Sequence, residues 1–153
     1  MIHEGTQGIQ ALDLLGRKVV MDGGAGLSLL SATIESTVAR PTSGGGEPAA
    51  FAAQLKAAWD EVVSATAALW KANDPEVTLA NATLYLEAAG HVVISWIWLE
   101  QFVAAEGKAG GFYEGKRQAC RYFFRYELPR TAPQLELLHS LDTTTVEMED
   151  GWF

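Results

Sequence analysis

Arg117, Arg121 and Arg125 recur every four residues, with Lys116 beside the first, so on a helix they form one cationic face. Such a face could hold a phosphate-bearing ligand or an acidic partner. The chain carries 19 acidic against 11 basic residues. Salt bridging to that surplus, to Glu114 and to carboxylates of adjacent helices, is therefore the expected role. His91 stands on the apolar stripe of a long helical segment, where it could be a ligand or a proton carrier. One imidazole does not make a metal site, and a core histidine bonded to a neighbouring helix is expected. Cys120 lies among aromatic residues in mid-helix, the setting of an inert thiol. The glycine clusters 23–26 and 44–46 follow no strand, do not fit G-x-G-x-x-G, and precede no Lys-Ser/Thr. They read as breaks and a linker, not as phosphate loops.

The elements that would position these residues are helical. Ile9, Leu12 and Leu15 mark a short first helix ending at Gly16, and Leu27, Leu30, Ile34 and Val38 mark a second. The glycine-rich stretch 41–48 is a linker. Phe51, Leu55, Ala58, Val62, Leu69 and Trp70 form the next stripe, with Pro48 as its first helical residue. Asp74-Pro75-Glu76 is the clearest helix start, combining a cap, a proline and an acid at the positive end of the dipole. From there Val77, Leu84, His91 and Trp98 predict one helix of roughly thirty residues, with Ala80, Ala88, Ser95 and Phe102 alongside. Phe112, Ala119, Phe123 and Tyr126 define a face of the following helix, flanked by Cys120 and Phe124. Thr131-x-x-Gln134 predicts a capping box for a last helix with Leu135, Leu138 and Leu141. No stretch reads as a sheet-forming strand. The expected fold is all-α, an antiparallel bundle of about four main helices with short flanking helices.

Composition excludes several classes of function. The length of 153 residues, with 48% hydrophobic and 20% charged, suits a single folded domain. A net charge of −8 without a basic cluster argues against nucleic acid and anionic membrane surfaces. The most apolar run, 92–99, is too short to span a bilayer, and no membrane span is expected. One cysteine suits a reducing compartment, and a cytoplasmic location is the expectation.

The first residues, Ile2-His3-Glu4-Gly5-Thr6-Gln7-Gly8-Ile9-Gln10, resemble the end of the catalytic region of acyl-CoA dehydrogenases, in which an aromatic or similar residue precedes Glu-Gly-Thr and a helix follows. His3 stands where that family often has Tyr. Asp13-Leu14-Leu15-Gly16-Arg17-Lys18 resembles the bacterial subgroup with an extra C-terminal helical domain. Residues 119–129, ACRYFFRYELP, resemble the closing helix of that domain.

The resemblance implies that residues 1–21 are the terminal helix of a parent dehydrogenase domain and 22–153 an appended helical bundle. It makes Glu4 the base that removes the α-proton of an acyl-CoA thioester, and Thr6 a residue that approaches the flavin of FAD. A further family contact falls on Gly8, which has no side chain to make it. The parent reaction is FAD-dependent α,β-dehydrogenation, with electrons passed to an electron-transfer flavoprotein. Such an enzyme needs several hundred residues, so the chain reads as its C-terminal portion. On its own it is expected to be non-catalytic and free of cofactor, with Glu4 a solvated terminal acid. The alternative is a stand-alone helical interaction or oligomerisation module. In either case the apolar helices predict a homo-oligomer.

Overall fold

The computed structural model describes residues 6–40 and 45–152. In chain order these form α1 (Gln7–Asp13), a π-helical continuation (Leu14–Lys18), α2 (Met21–Ala39), α3 (Gly46–Lys71), α4 (Pro75–Leu79), α5 (Ala82–Ala104) and α6 (Gly111–Tyr122). A π-helical turn (Phe123–Glu127), a 3₁₀ turn (Leu128–Arg130), α7 (Thr131–His139) and a terminal 3₁₀ turn (Asp150–Trp152) complete them. Among the described residues there is no strand, and the architecture is the expected all-α bundle.

α5 is the central helix, packed by α1, α3, α6 and α7. Thr66 meets Tyr85, and Phe51 meets Phe102, so α3 and α5 run antiparallel. The buried side of α5 is Ala82, Tyr85, Ala88, Val92, Ser95, Leu99 and Phe102, in steps of three and four that alternate from Tyr85 onward. Of the predicted stripe, Leu84, His91 and Trp98 lie one residue away, at the half-buried margin of that face, and Val77 falls on α4. The residues expected alongside it, Ala88, Ser95 and Phe102, are the true centre. Small Ala88 and Ser95 let neighbouring helices approach closely, and hydropathy alone gives them little weight.

Three further expectations are corrected. The single long helix from Pro75 is two. Asn81 leaves the helical region (φ −115°, ψ 32°), and its amide donates to the Asp142 carbonyl at 2.7 Å. Thr145 donates to the Ala80 carbonyl at 3.1 Å, so the C-terminal segment holds the break in place. The first helix does not stop at Gly16 but continues to Lys18, and its inward residues are Ala11 and Leu15 while Ile9 and Leu12 face outward. A Cβ at position 16 would lie 3.3 Å from a Leu79 methyl, so glycine there permits α4 to approach. On α6 and the two turns that follow it the core residues are Cys120, Phe124 and Leu128, and Phe112 and Tyr126 are exposed. The π-helical turn rotates the chain so that four-residue steps, not sevens, face inward. Phe124 stacks on Phe51 at 4.6 Å, and Phe51 meets Phe102 edge-on at 5.8 Å.

The helix ends show the same mixture. Asp74 caps α4 as predicted, accepting from the Glu76 amide at 2.9 Å. Thr131 forms no capping box; its hydroxyl donates to the Leu128 carbonyl at 2.7 Å, one turn back. The expected linker is shorter than 41–48, because α3 begins at Gly46 and Pro48 already lies within its first turn. Asp22, Gly23 and Gly24 have φ of 52°, 68° and 83°, a left-handed kink that two glycines make inexpensive. With 23 residues, α5 is long and apolar enough to cross a membrane by length and composition, which the expectation from 92–99 overlooked. Here it is the central helix, packed against the others along its buried side, while Ile94 and Ile97 remain exposed.

Candidate functional site

The N-terminal segment enters the structure at Thr6, the residue that precedes the first turn of α1. Glu4 lies outside the described residues. Thr6 is exposed, and its hydroxyl oxygen accepts from the Gln10 amide at 3.4 Å, which leaves its own hydrogen free to donate. Gly8 is exposed, and a Cβ there would meet nothing. α1 is held by Ala11 and Leu15, both fully buried, and by a hydrogen bond from Gln7 to Glu87 of α5 at 3.3 Å. Its other face carries Ile9 and Leu12, 69% and 48% exposed.

Glu87 begins a polar cluster that sequence reading missed. Its second oxygen accepts from Gln134 of α7 at 3.3 Å, and its backbone carbonyl lies 2.9 Å from His91 Nδ1. The other ring nitrogen of His91 faces Glu127 at 3.8 Å, and Glu127 is held by Arg130 at 2.8 Å. The ring lies 6.0 Å from that of Phe123. His91 is thus half-buried and bonded within its own helix, with the Glu127 carboxylate across the interface, where a core histidine bonded to a neighbouring helix was expected. The signal was available: Glu87 stands one turn before His91, and Gln134 falls on the inward side of the last helix. These residues join α1, α5, the π-helical turn and α7. Among the described residues no cluster has the composition of a metal site.

The arginine face is structural. Arg117 reaches the carbonyls of Ala105 and Lys108 at 2.6 and 3.2 Å and so caps the C-terminal end of α5. It also pairs with Glu114 at 2.7 Å, and that guanidinium, ahead of Arg121, holds the Glu114 carboxyl below its ordinary range. Arg121 pairs with Glu47 at 2.9 Å, and Arg125 approaches the same carboxylate at 3.6 Å. The expected salt bridging is therefore present, with Glu47 of α3 as the acceptor that spacing on α6 alone does not reveal. Cys120 is fully buried, and burial first, then the Glu47 charge, push its thiol up to about 12. It has neither the exposure nor the ionisation of a nucleophile.

The geometry so far gives a helical bundle that presents an anchored N-terminal helix with an apolar outer face. Comparison with known proteins places it. A family profile described as "Acetyl-CoA dehydrogenase C-terminal like" matches residues 30–149. The chain is 28% identical to the broad-specificity linear acyl-CoA dehydrogenase FadE5 of Mycobacterium tuberculosis, over 99% of this chain and 27% of that protein. It is 26% identical to a butyryl-CoA dehydrogenase of Syntrophomonas wolfei, over 99% of this chain and 26% of that protein. It is 33% identical to the 3-methylmercaptopropionyl-CoA dehydrogenase of Ruegeria pomeroyi, over 70% of this chain and 18% of that protein. The chain spans about a quarter of the length of the first two. The profile covers well over half of the chain, and the protein therefore belongs to the acetyl-CoA dehydrogenase C-terminal-like family, as a C-terminal domain of the acyl-CoA dehydrogenase type.

Proposed function

We propose that this chain supplies the C-terminal helical portion of an acyl-CoA dehydrogenase-like flavoenzyme, and that it is not catalytic alone. The observation that carries the proposal is α1. It is fixed to the bundle by Ala11 and Leu15, exposes Ile9 and Leu12, and follows directly on Glu4-Gly5-Thr6. In the whole enzyme Ile9 and Leu12 pack on the dehydrogenase body, and α1 fixes the segment before it to the bundle. Glu4 is then the base that takes the α-proton of the acyl thioester, a task that needs a carboxylate within hydrogen-bond reach in a site closed to water. Thr6 has a hydroxyl hydrogen free to donate, which fits a contact to FAD. A single hydroxyl does not bind such a group, so the remaining contacts come from the rest of the enzyme. FAD bound there would supply the acceptor for the β-hydride and the route of its electrons to an electron-transfer flavoprotein.

The test is Glu4→Gln in the whole enzyme. Turnover is expected to fall by about 10²–10⁴-fold with flavin retained, because the change keeps shape and deletes the base. Near-normal turnover would place the base elsewhere. The chain by itself is expected to be colourless and inactive towards acyl-CoA, and stoichiometric flavin in the purified chain would overturn that part.

A further inference from the structure

Between the π-helical end of the first helix, α2, α3 and α5 lies a cavity of about 420 Å³, walled by Leu27, Leu30, Trp59, Val62, Leu86 and Val93. Its polar groups are few. Tyr85 also lines it, but its hydroxyl is within 2.7 Å of Thr66 and is thereby satisfied. A water in this cavity would find almost no hydrogen-bond partners, so an apolar occupant is favoured over solvent. Among the described residues no acidic side chain lines it. Among those residues Lys18 is the charged one that does, and it is exposed and has no ion-pair partner among them. Asp13, which feels its charge, is already held by Arg17 at 2.5 Å.

Two glycines enlarge the space. Gly26 of α2 and Gly90 of α5 both line the cavity, and a Cβ at either would meet no atom within 4 Å. Neither has a positive φ that would require glycine. Helix-interior glycine costs roughly 0.5–1 kcal/mol relative to alanine. Gly90 lies in a helix interior beside empty space without a close contact to explain it, and Gly26 opens the same space in the first turn after the kink of α2.

We infer that this cavity binds an aliphatic chain with an anionic head, the chain lying between α2 and α5 and the head at Lys18. Size selects the occupant. A helix of 10–12 Å diameter fills about 500 Å³ per turn, so less than one turn of a partner helix would fit. At about 30 Å³ per methylene-sized unit, allowing for an open mouth, the cavity takes about 8–12 carbons. The site does not depend on the role proposed for Glu4.

The test uses the full chain and calorimetric titration with sodium decanoate below its micelle concentration, with 1-decanol and decanoyl-coenzyme A in parallel. Decanoate is expected to bind one per chain. Lys18→Gln should weaken decanoate about 1.5- to fivefold and leave decanol unchanged, the range of an exposed charge contact. Gly90→Leu, and separately Gly26→Leu, should weaken both ligands at least tenfold while the helical circular dichroism is retained. If both leucine variants misfold, the Lys18→Gln contrast between decanoate and decanol decides. Decanoyl-coenzyme A binding with the same glycine sensitivity would identify a thioester-borne chain, and its failure to bind would identify the free carboxylate. Absence of saturable binding at about 1 mM decanoate would overturn the proposal. So would an affinity unmoved by all three substitutions.

Discussion

Cys120 allows a quantitative check of how α6 packs, because it is the one thiol in the chain. Its side chain is fully buried, and its ionisation is pushed from 9.0 up to about 12 by burial first and the Glu47 charge second. The folded pKa lies above the unfolded one, so the native thiol keeps a proton that the unfolded chain releases above pH 9. Stability from this group is therefore complete below pH 9 and is lost as pH rises from 9 towards 12. Each pH unit in that window removes about 1.4 kcal/mol. Denaturant unfolding of the native chain and of Cys120→Ala, compared at pH 8 and pH 10, isolates the effect from other titrations. The stability advantage of the native chain over the variant should shrink by about 1.4 kcal/mol between those conditions. Thiol alkylation at pH 8 gives a second reading. A pKa near 12 leaves about a thousandfold less thiolate than one near 9. Alkylation of the folded chain should be at least that much slower than in denaturant. A native rate within tenfold of the unfolded rate, or an advantage independent of pH, would refute the burial of Cys120 against α3 and α5.

Leu99, fully buried at the centre of the α5 seam, should cost about 2–5 kcal/mol as Leu99→Ala, read by denaturant midpoint. Asp74→Ala should cost about 1 kcal/mol by loss of the bond to the Glu76 amide, and Asp74→Asn should recover most of it. The purified chain is expected to self-associate through apolar surface that includes Ile94 and Ile97 of α5 and Phe112 of α6, each at least 43% exposed. Light scattering at micromolar concentration should give a dimer or larger. Added salt should leave it intact, because screening weakens repulsion between acidic faces; dissociation in salt would instead implicate ion pairs.

The sequence made helix class and most helix starts readable because those depend on local chemistry. Asp74-Pro75-Glu76 satisfies a helix end without help from elsewhere, and it is where the structure places one. Register was less legible. The α5 seam passes through Ala88 and Ser95, which attract no attention by hydropathy, whereas Leu84 and Trp98 do and lie at its margin. Thr131 and Gln134 fit a capping box in spacing, but the preceding 3₁₀ turn already supplies a nearer acceptor at the Leu128 carbonyl. The break at Asn81 depends on Asp142, sixty-one residues away, and no local pattern encodes that bond. For the same reason the arginine face was readable as salt bridging, but Glu47 as its principal acceptor was not.

The first helix shows why an apolar pattern can be correct and still misassign the inner face. Ile9, Leu12 and Leu15 are spaced as a helical stripe, yet Leu15 is fully buried while Ile9 and Leu12 are 69% and 48% exposed. The bundle grips the helix by Ala11 and Leu15, four residues apart, and leaves the larger residues outside. Full burial of an isoleucine or leucine is worth about 1.5–3 kcal/mol, so two such side chains left open forgo a substantial fraction of a domain's net stability. A helix selected only to close this bundle would carry polar residues there, as α3 does at Gln54, Asp60 and Glu61. α1 instead has two apolar faces, one satisfied by α5 and one directed away from the bundle. Helices of this kind lie between two packed bodies. Under the function proposed above, the chain contributes one of those bodies and the dehydrogenase domain the other; the chain spans about a quarter of the length of the relatives that carry such a domain's name.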